Sequence, residues 1–166
     1  IYLPLGGAGE VGMNAYVYGW GAPGKERLIL VDLGVTFGDM DGSPGVDLIF
    51  PDLSWLIERA DRLEAVIITH GHEDHIGAVP YLWRKFRCPV YATPFTAALL
   101  RKKMEMDGAE LSVDIIEVPL KGKFDVGPFS LELITLTHSM PEPNALAEAQ
   151  SLAVGRGHNQ LDPGHL

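Results

Sequence analysis

Residues 70–75, with the sequence HGHEDH, place three imidazoles and two carboxylates in six positions, directly after the apolar run of residues 65–69. The apolar run has the composition of a buried β-strand. Side chains two residues apart in an extended chain point the same way, so His70 and His72 can present two nitrogens to one cation. A polar turn with Asp74 as helix N-cap is the alternative, but a cap accounts for one carboxylate and not for three imidazoles. The segment therefore predicts a metal site at the end of a strand.

Two further positions extend this predicted site. Asp74 and His75 follow where the chain must turn, and their offset from the first pair lets them face a second cation. His138 also follows a predicted strand and would complete a three-histidine set, although taken alone it fits a histidine bonded to backbone. Asp32 ends another apolar run and is either an acceptor that orients a metal-binding histidine or a simple turn residue.

Composition limits the class of protein. The chain has 166 residues, 46% of them hydrophobic, which suits one folded domain with a core. No stretch approaches the roughly 20 apolar residues of a membrane helix. The single cysteine, Cys88, cannot form an internal disulfide, so a cytoplasmic location is expected. The net charge of −9 argues against a surface that grips nucleic acid without bound cations.

The order of predicted elements indicates an α/β fold. Alternating or continuous apolar runs predict strands over residues 1–5, 14–18, 27–31, 65–69, 89–92, 114–118, 123–126 and 129–137. Capping residues predict a short helix capped by Asp52 or Ser54 and extending through Ala60. Helical spacing and a Thr-Pro helix start predict helices over residues 75–86 and 94–106. The candidate ligands all fall at predicted strand ends.

Gly7, Gly9 and Gly12 match the G-x-G-x-x-G pattern of dinucleotide-binding proteins. That fingerprint requires a helix after the glycines, so that the helix N-terminus meets the pyrophosphate. The residues that follow, 14–18, favour a strand instead. We therefore expect a tight turn here and no bound dinucleotide.

Residues 148–166 differ in character from the preceding chain. They contain three glycines and no aromatic residue, and their longest apolar run is three residues. They predict a divergent, weakly ordered tail, with a short helix over residues 144–152 as the one regular element.

The residues that carry chemistry resemble those of the metallo-β-lactamase superfamily. Its signature H-x-H-x-D-H is matched by residues 70–75, with the later His138 and the upstream Asp32. Four separated segments, residues 4–14, 45–52, 69–78 and 137–141, are similar to the ribonuclease J family of the β-CASP branch.

That resemblance implies a metallo-β-lactamase-like αββα sandwich, of which residues 1–147 would form only the N-terminal half. It implies two zinc ions, with manganese as an alternative, held by His70, His72 and His138 on one side and by Asp74 and His75 on the other. Water between the cations, with Asp74 beside it, would attack an RNA phosphodiester bond. The family's bridging aspartate is not found in this chain, and an incomplete sandwich predicts exposed apolar surface and association into a homo-oligomer.

Three functions follow as alternatives. The first is metal-dependent hydrolysis of RNA, in a truncated form of the family's enzyme. The second keeps the site but hydrolyses a lactone, thioester or β-lactam, as related members of the superfamily do. The third is a metal-binding fragment without catalytic activity.

Overall fold

The computed structural model describes residues 1–39, 42–106 and 113–148. The strands are β1 (Tyr2–Gly6), β2 (Ala15–Trp20), β3 (Arg27–Val31), β4 (Thr36–Phe37), β5 (Leu48–Ile49), β6 (Leu63–Ile67), β7 (Val90–Ala92), β8 (Ile115–Glu117), β9 (Lys123–Val126), β10 (Phe129–Thr135) and β11 (Asn144–Glu148). The α-helices are α1 (Ser54–Ile57), α2 (Glu73–Ile76), α3 (Val79–Leu82) and α4 (Pro94–Met106), and 3₁₀ turns span Ala60–Arg62 and Trp83–Lys85.

The larger sheet has the strand order β1-β2-β3-β6-β7-β8. β1, β2 and β3 pair antiparallel, whereas β3, β6, β7 and β8 run parallel. Parallel strands buried on both faces read as continuous apolar runs, and this explains the composition of β3 and β6. Their carboxyl ends meet at one edge of the sheet, where the predicted ligands of both segments lie.

Two hydrophobic clusters define the layers. One packs the helices on the larger sheet and includes Leu30, Val66 and Leu100. The other lies between the larger sheet and the smaller sheet, whose strand order is β11-β10-β9. It includes Ile67 of β6 and the alternate residues Phe129 and Leu131 of β10. Helices, larger sheet and smaller sheet form three successive layers, so the predicted αββα sandwich, present only as its N-terminal part, is confirmed.

Most predicted strand bounds differ from the structure by one or two residues, and the short strands β4 and β5 were not predicted. The helix expected to end near residue 60 ends at Ile57. Two other predicted helices differ more. The helix predicted over residues 75–86 is divided into α2, α3 and a 3₁₀ turn, because Pro80 cannot donate a backbone hydrogen bond within a continuous helix. The helix predicted over residues 144–152 is wrong in its described part, which is β11. Residues 149–166 of the predicted tail lie outside the described residues.

Cys88 is a buried free thiol, and burial raises its pKa to about 11. Among the described residues, no helix has the length and apolar character needed to cross a membrane.

Candidate metal centre

The end of β6 leads directly into the predicted site. Asp32 N–H donates to the Ile67 carbonyl at 2.9 Å, so the ends of β3 and β6 are joined side by side. His72 has extended backbone angles and immediately precedes α2. The local sequence therefore presents His70 and His72 before the chain turns into the helix, as the two-residue spacing predicts.

Three imidazoles from two separate parts of the chain converge at this point. His70, His72 and His138 each offer a ligand atom, and these atoms lie within 4.8 Å of one another. His70 Nε2 is 3.2 Å from His72 Nδ1, and the His138 ring centroid is 4.9 Å and 4.6 Å from those of His70 and His72. His70 is buried, His72 half-buried and His138 exposed. The cluster is thus open to solvent on the His138 side.

The electrostatics around His70 favour a neutral imidazole. Burial, together with the charges of neighbouring histidines, lowers the pKa of His70 from 6.5 to about 4, although Asp32 opposes the shift. A neutral ring keeps a lone pair on one nitrogen, which is the form that binds a metal.

Asp32 fixes the orientation of two histidines. Its carboxylate accepts the Thr69 N–H at 2.8 Å and the Thr69 hydroxyl at 2.9 Å, and it lies 2.7 Å from His75 Nδ1. Because the Thr69 hydroxyl proton goes to Asp32, that oxygen accepts from His70 Nδ1 at 3.0 Å. In the neutral form both rings then carry their proton on Nδ1, and Nε2 is unprotonated. Metal-binding histidines are commonly oriented in this way, by an acceptor that bonds the ring nitrogen not used for the metal.

Burial of His75 alone would lower its pKa. The hydrogen bond to Asp32 and the charges of Asp32 and Asp74 outweigh that effect, so the pKa of His75 is raised above its ordinary value.

Asp74 and His75 form a second pair beside the three histidines. Asp74 Oδ2 is 3.3 Å from His75 Nε2, and the rings of His70 and His75 are 4.0 Å apart between centroids. Asn14 Nδ2 reaches Asp74 Oδ2 at 3.1 Å and His75 Nε2 at 3.2 Å, and the Tyr16 hydroxyl donates to Asn14 Oδ1. All six residues predicted for the site therefore lie together.

Residue spacing did not predict Asn14 and Thr69 as part of the site. Asn14 follows the glycines of the G-x-G-x-x-G pattern, and β2 rather than a helix begins after it. Thr69 immediately precedes His70, and a hydroxyl beside a predicted ligand was the signal that could have found it.

The backbone of the 74–75 turn packs against glycine. A Cβ added at Gly34 would lie 1.6 Å from the Asp74 carbonyl oxygen and 2.7 Å from His75 N. Asp32, two residues earlier, has a φ of 62°, in the left-handed region that aspartate tolerates better than most residues. The sequence Asp-Leu-Gly thus allows the β3 end to approach the 74–75 turn closely.

The donor set fits a divalent cation. Three imidazole nitrogens at this separation suit zinc and other first-row metals, and three protein ligands leave a coordination position open. The adjoining carboxylate and imidazole of Asp74 and His75 offer further oxygen and nitrogen ligands of the same kind.

Comparison with known proteins identifies the wider group. Residues 8–143 match the family model of the metallo-beta-lactamase superfamily. Ribonuclease J of Sinorhizobium meliloti is 47% identical over 146 residues, which are 88% of this chain and 26% of that protein. Ribonuclease J 1 of Streptococcus pyogenes is 37% identical over 139 residues, or 84% of this chain and 24% of that protein. The chain thus spans about a quarter of the length of these relatives.

A solved structure gives the same fold. The crystal structure of a diphosphatase from the PhnP family superposes with a TM-score of 0.55 at 17% identity, and covers 83% of this chain and 49% of that one. At that identity the likeness concerns the fold alone. On the match of its sequence, fold and histidine cluster, the chain belongs to the metallo-β-lactamase superfamily.

Proposed function

We propose that this chain is part of a metal-dependent hydrolase of RNA phosphodiester bonds, similar to ribonuclease J and belonging to the β-CASP branch. The observation that carries the proposal is the convergence of His70, His72 and His138 at the end of β6. Identity of 47% to a ribonuclease J over most of the chain supports RNA as the substrate class.

The residues would divide the work as follows. His70, His72 and His138 would hold one cation, and Asp74 with His75 a second, with zinc as the first choice and manganese as the alternative. Bound divalent cations supply Lewis acidity, which lowers the pKa of water and neutralises phosphate oxygens. Asp32 keeps the protons of His70 and His75 on Nδ1, so that Nε2 is available. Asp74, with a side chain 40% exposed, is accessible to substrate.

The position and charge of the site support a polymeric anion as substrate. Solvent exposure increases across the cluster from the buried His70 to the exposed His138. A phosphodiester can therefore approach from the His138 side without entering a deep pocket. Because the chain carries a net charge of −9, the cations are needed to attract phosphate. A cytoplasmic location is proposed for such an enzyme. Association of copies is proposed as well, since Ile134 and Leu136 are 41% and 51% exposed.

The test is cleavage of a 5′-labelled single-stranded RNA by the purified chain supplied with zinc or manganese. We expect cleavage by the native sequence and a loss of more than about 100-fold in His72→Ala, because even outer partners of metal ligands are worth 10 to 100-fold. Glu117→Ala is the control, since Glu117 is exposed and pairs with Arg101 away from the cluster.

A chromogenic β-lactam assayed in parallel separates the alternatives. Hydrolysis of the lactam but not of RNA would assign the site to carbonyl chemistry. A chain that binds metal and cleaves neither substrate would be a catalytically inactive fragment, and both of these results contradict the proposal.

A further inference from the structure

His138 reaches the cluster from a connection whose position needs an explanation. Residues 136–143 join β10 to β11, and His138 and its immediate neighbours are exposed. Leu136 N–H donates to the Pro143 carbonyl at 2.9 Å, which closes the connection on itself. Because His138 is exposed, burial does not hold its side chain towards His70 and His72. Other contacts of the connection must orient it.

Glu142 attaches this connection to a helix. Its Oε2 accepts the backbone N–H of Phe95, in the first turn of the 13-residue helix α4, at 2.9 Å. The hydroxyl of Thr93, which precedes the helix, donates to Thr96. A carboxylate at a helix N-terminus makes a charge-assisted bond and interacts favourably with the helix dipole. Glu142 has a φ of 54°, an uncommon value for a residue other than glycine.

The same helix lies against the other two histidines. A Cβ at Gly71, between His70 and His72, would be 2.7 Å from Leu99 Cδ1 of α4 and 3.0 Å from Met140 Cε. α4 thus contacts the 70–75 segment through Leu99 and the 136–143 connection through Phe95.

A second link runs through Asn144, which is 3% exposed. Its Nδ2 donates to the Glu142 carbonyl at 2.7 Å and to the Thr69 carbonyl at 3.4 Å. The backbone of Glu142 is therefore tied to the residue before His70, while its side chain is tied to α4.

We propose that Glu142 is a positioning residue that holds the 136–143 connection against the N-terminus of α4 and so keeps His138 facing His70 and His72. Without the carboxylate, the connection loses its bond to the helix, and the third ligand is presented in many orientations. The inference depends on the metal centre of the proposed function but not on the identity of the substrate.

The experiment measures the zinc affinity of the full chain by competition with a chromophoric chelator. Glu142→Ala should weaken the affinity about 10-fold, the lower end of the range for groups that orient a metal ligand, because Glu142 acts through the connection and not by direct contact with His138. Glu142→Gln keeps an acceptor oxygen for Phe95 N–H and should restore most of the affinity. Glu117→Ala should leave the zinc affinity unchanged. Glu117 is exposed at the end of β8 and pairs with Arg101 of α4, so the control also removes a glutamate contact to that helix.

A double-mutant cycle with His138→Ala separates positioning from general destabilisation. In the His138→Ala background, Glu142→Ala should have no further effect on zinc affinity. An equal loss in both backgrounds, or native affinity in Glu142→Ala, would overturn the inference while leaving the metal centre in place. A native chain that binds no zinc would overturn both.

Discussion

Asp32→Ala is expected to lower the free energy of unfolding of the metal-free chain by about 3 to 5 kcal/mol, the range for removing one partner from a buried charged network. Asp32 is 3% exposed and accepts from Thr69 N–H, the Thr69 hydroxyl and His75 Nδ1. The alanine would leave the two Thr69 donors buried without their acceptor. Urea unfolding followed by circular dichroism measures the change.

Two variants give this prediction its controls. Asp32→Asn retains an acceptor oxygen, and asparagine tolerates positive φ. Its free energy of unfolding should therefore fall less than that of Asp32→Ala. Asp61→Ala, at an exposed position, should stay within about 0.5 kcal/mol of the native chain. Equal stability of Asp32→Ala and Asp61→Ala would show that the carboxylate does not organise the strand ends.

The loss in Asp32→Asn should also depend on pH. The pKa of His75 is raised, mainly by Asp32 against the opposing effect of burial. A raised pKa contributes stability that is complete below the unfolded value of 6.5 and is lost as the pH rises through the folded value. The difference between the native chain and Asp32→Asn should therefore be larger at acidic pH.

Gly34→Ala should destabilise the chain by about 3 kcal/mol or more, at the upper end of the cost of overpacking. The new Cβ would lie 1.6 Å from the Asp74 carbonyl oxygen and 2.0 Å from its carbon. These are backbone atoms, so relief requires the turn that carries Asp74 and His75 to move. Urea unfolding measures the stability, and zinc titration shows whether the displaced turn also weakens metal binding.

Gly24→Ala is the matched control for that substitution. Gly24 has a φ of 79° and no atom within 4 Å of an added Cβ, so its cost is conformational, about 1 to 2 kcal/mol. It should leave zinc affinity unchanged. If Gly34→Ala is no more costly than Gly24→Ala, the close approach of β3 to the 74–75 turn is incorrect.

The parts of the fold that local pattern predicts are those where pattern and environment agree. β3, β9 and α4 have the predicted bounds. β3 is a continuous apolar run, β9 alternates polar and apolar residues, and α4 begins at a Thr-Pro pair, so each pattern indicates a single type of element. Residues 145–147, Ala-Leu-Ala, favour a helix locally, but pairing of Leu146 with Leu133 places them in a strand. That contact between segments is not visible in local propensity.

In the candidate site, too, local spacing predicts some residues and contacts between distant segments determine the others. The spacing within residues 70–75 indicates ligands because two-residue periodicity is a property of one strand. The roles of Asn14 and Glu142 depend on contacts with Asp74 and Phe95, which are distant in sequence. Single-sequence spacing contains no information on such contacts, so these residues could be found only from the structure.

The zinc content of the purified full chain, measured by elemental analysis beside His72→Ala and Asp125→Ala, tests whether the histidine cluster holds a cation. If His70, His72 and His138 hold a cation, the native chain and the exposed Asp125→Ala control should retain at least one zinc per chain, and His72→Ala should lose it. Zinc that is substoichiometric in the native chain and unchanged in His72→Ala would contradict the account.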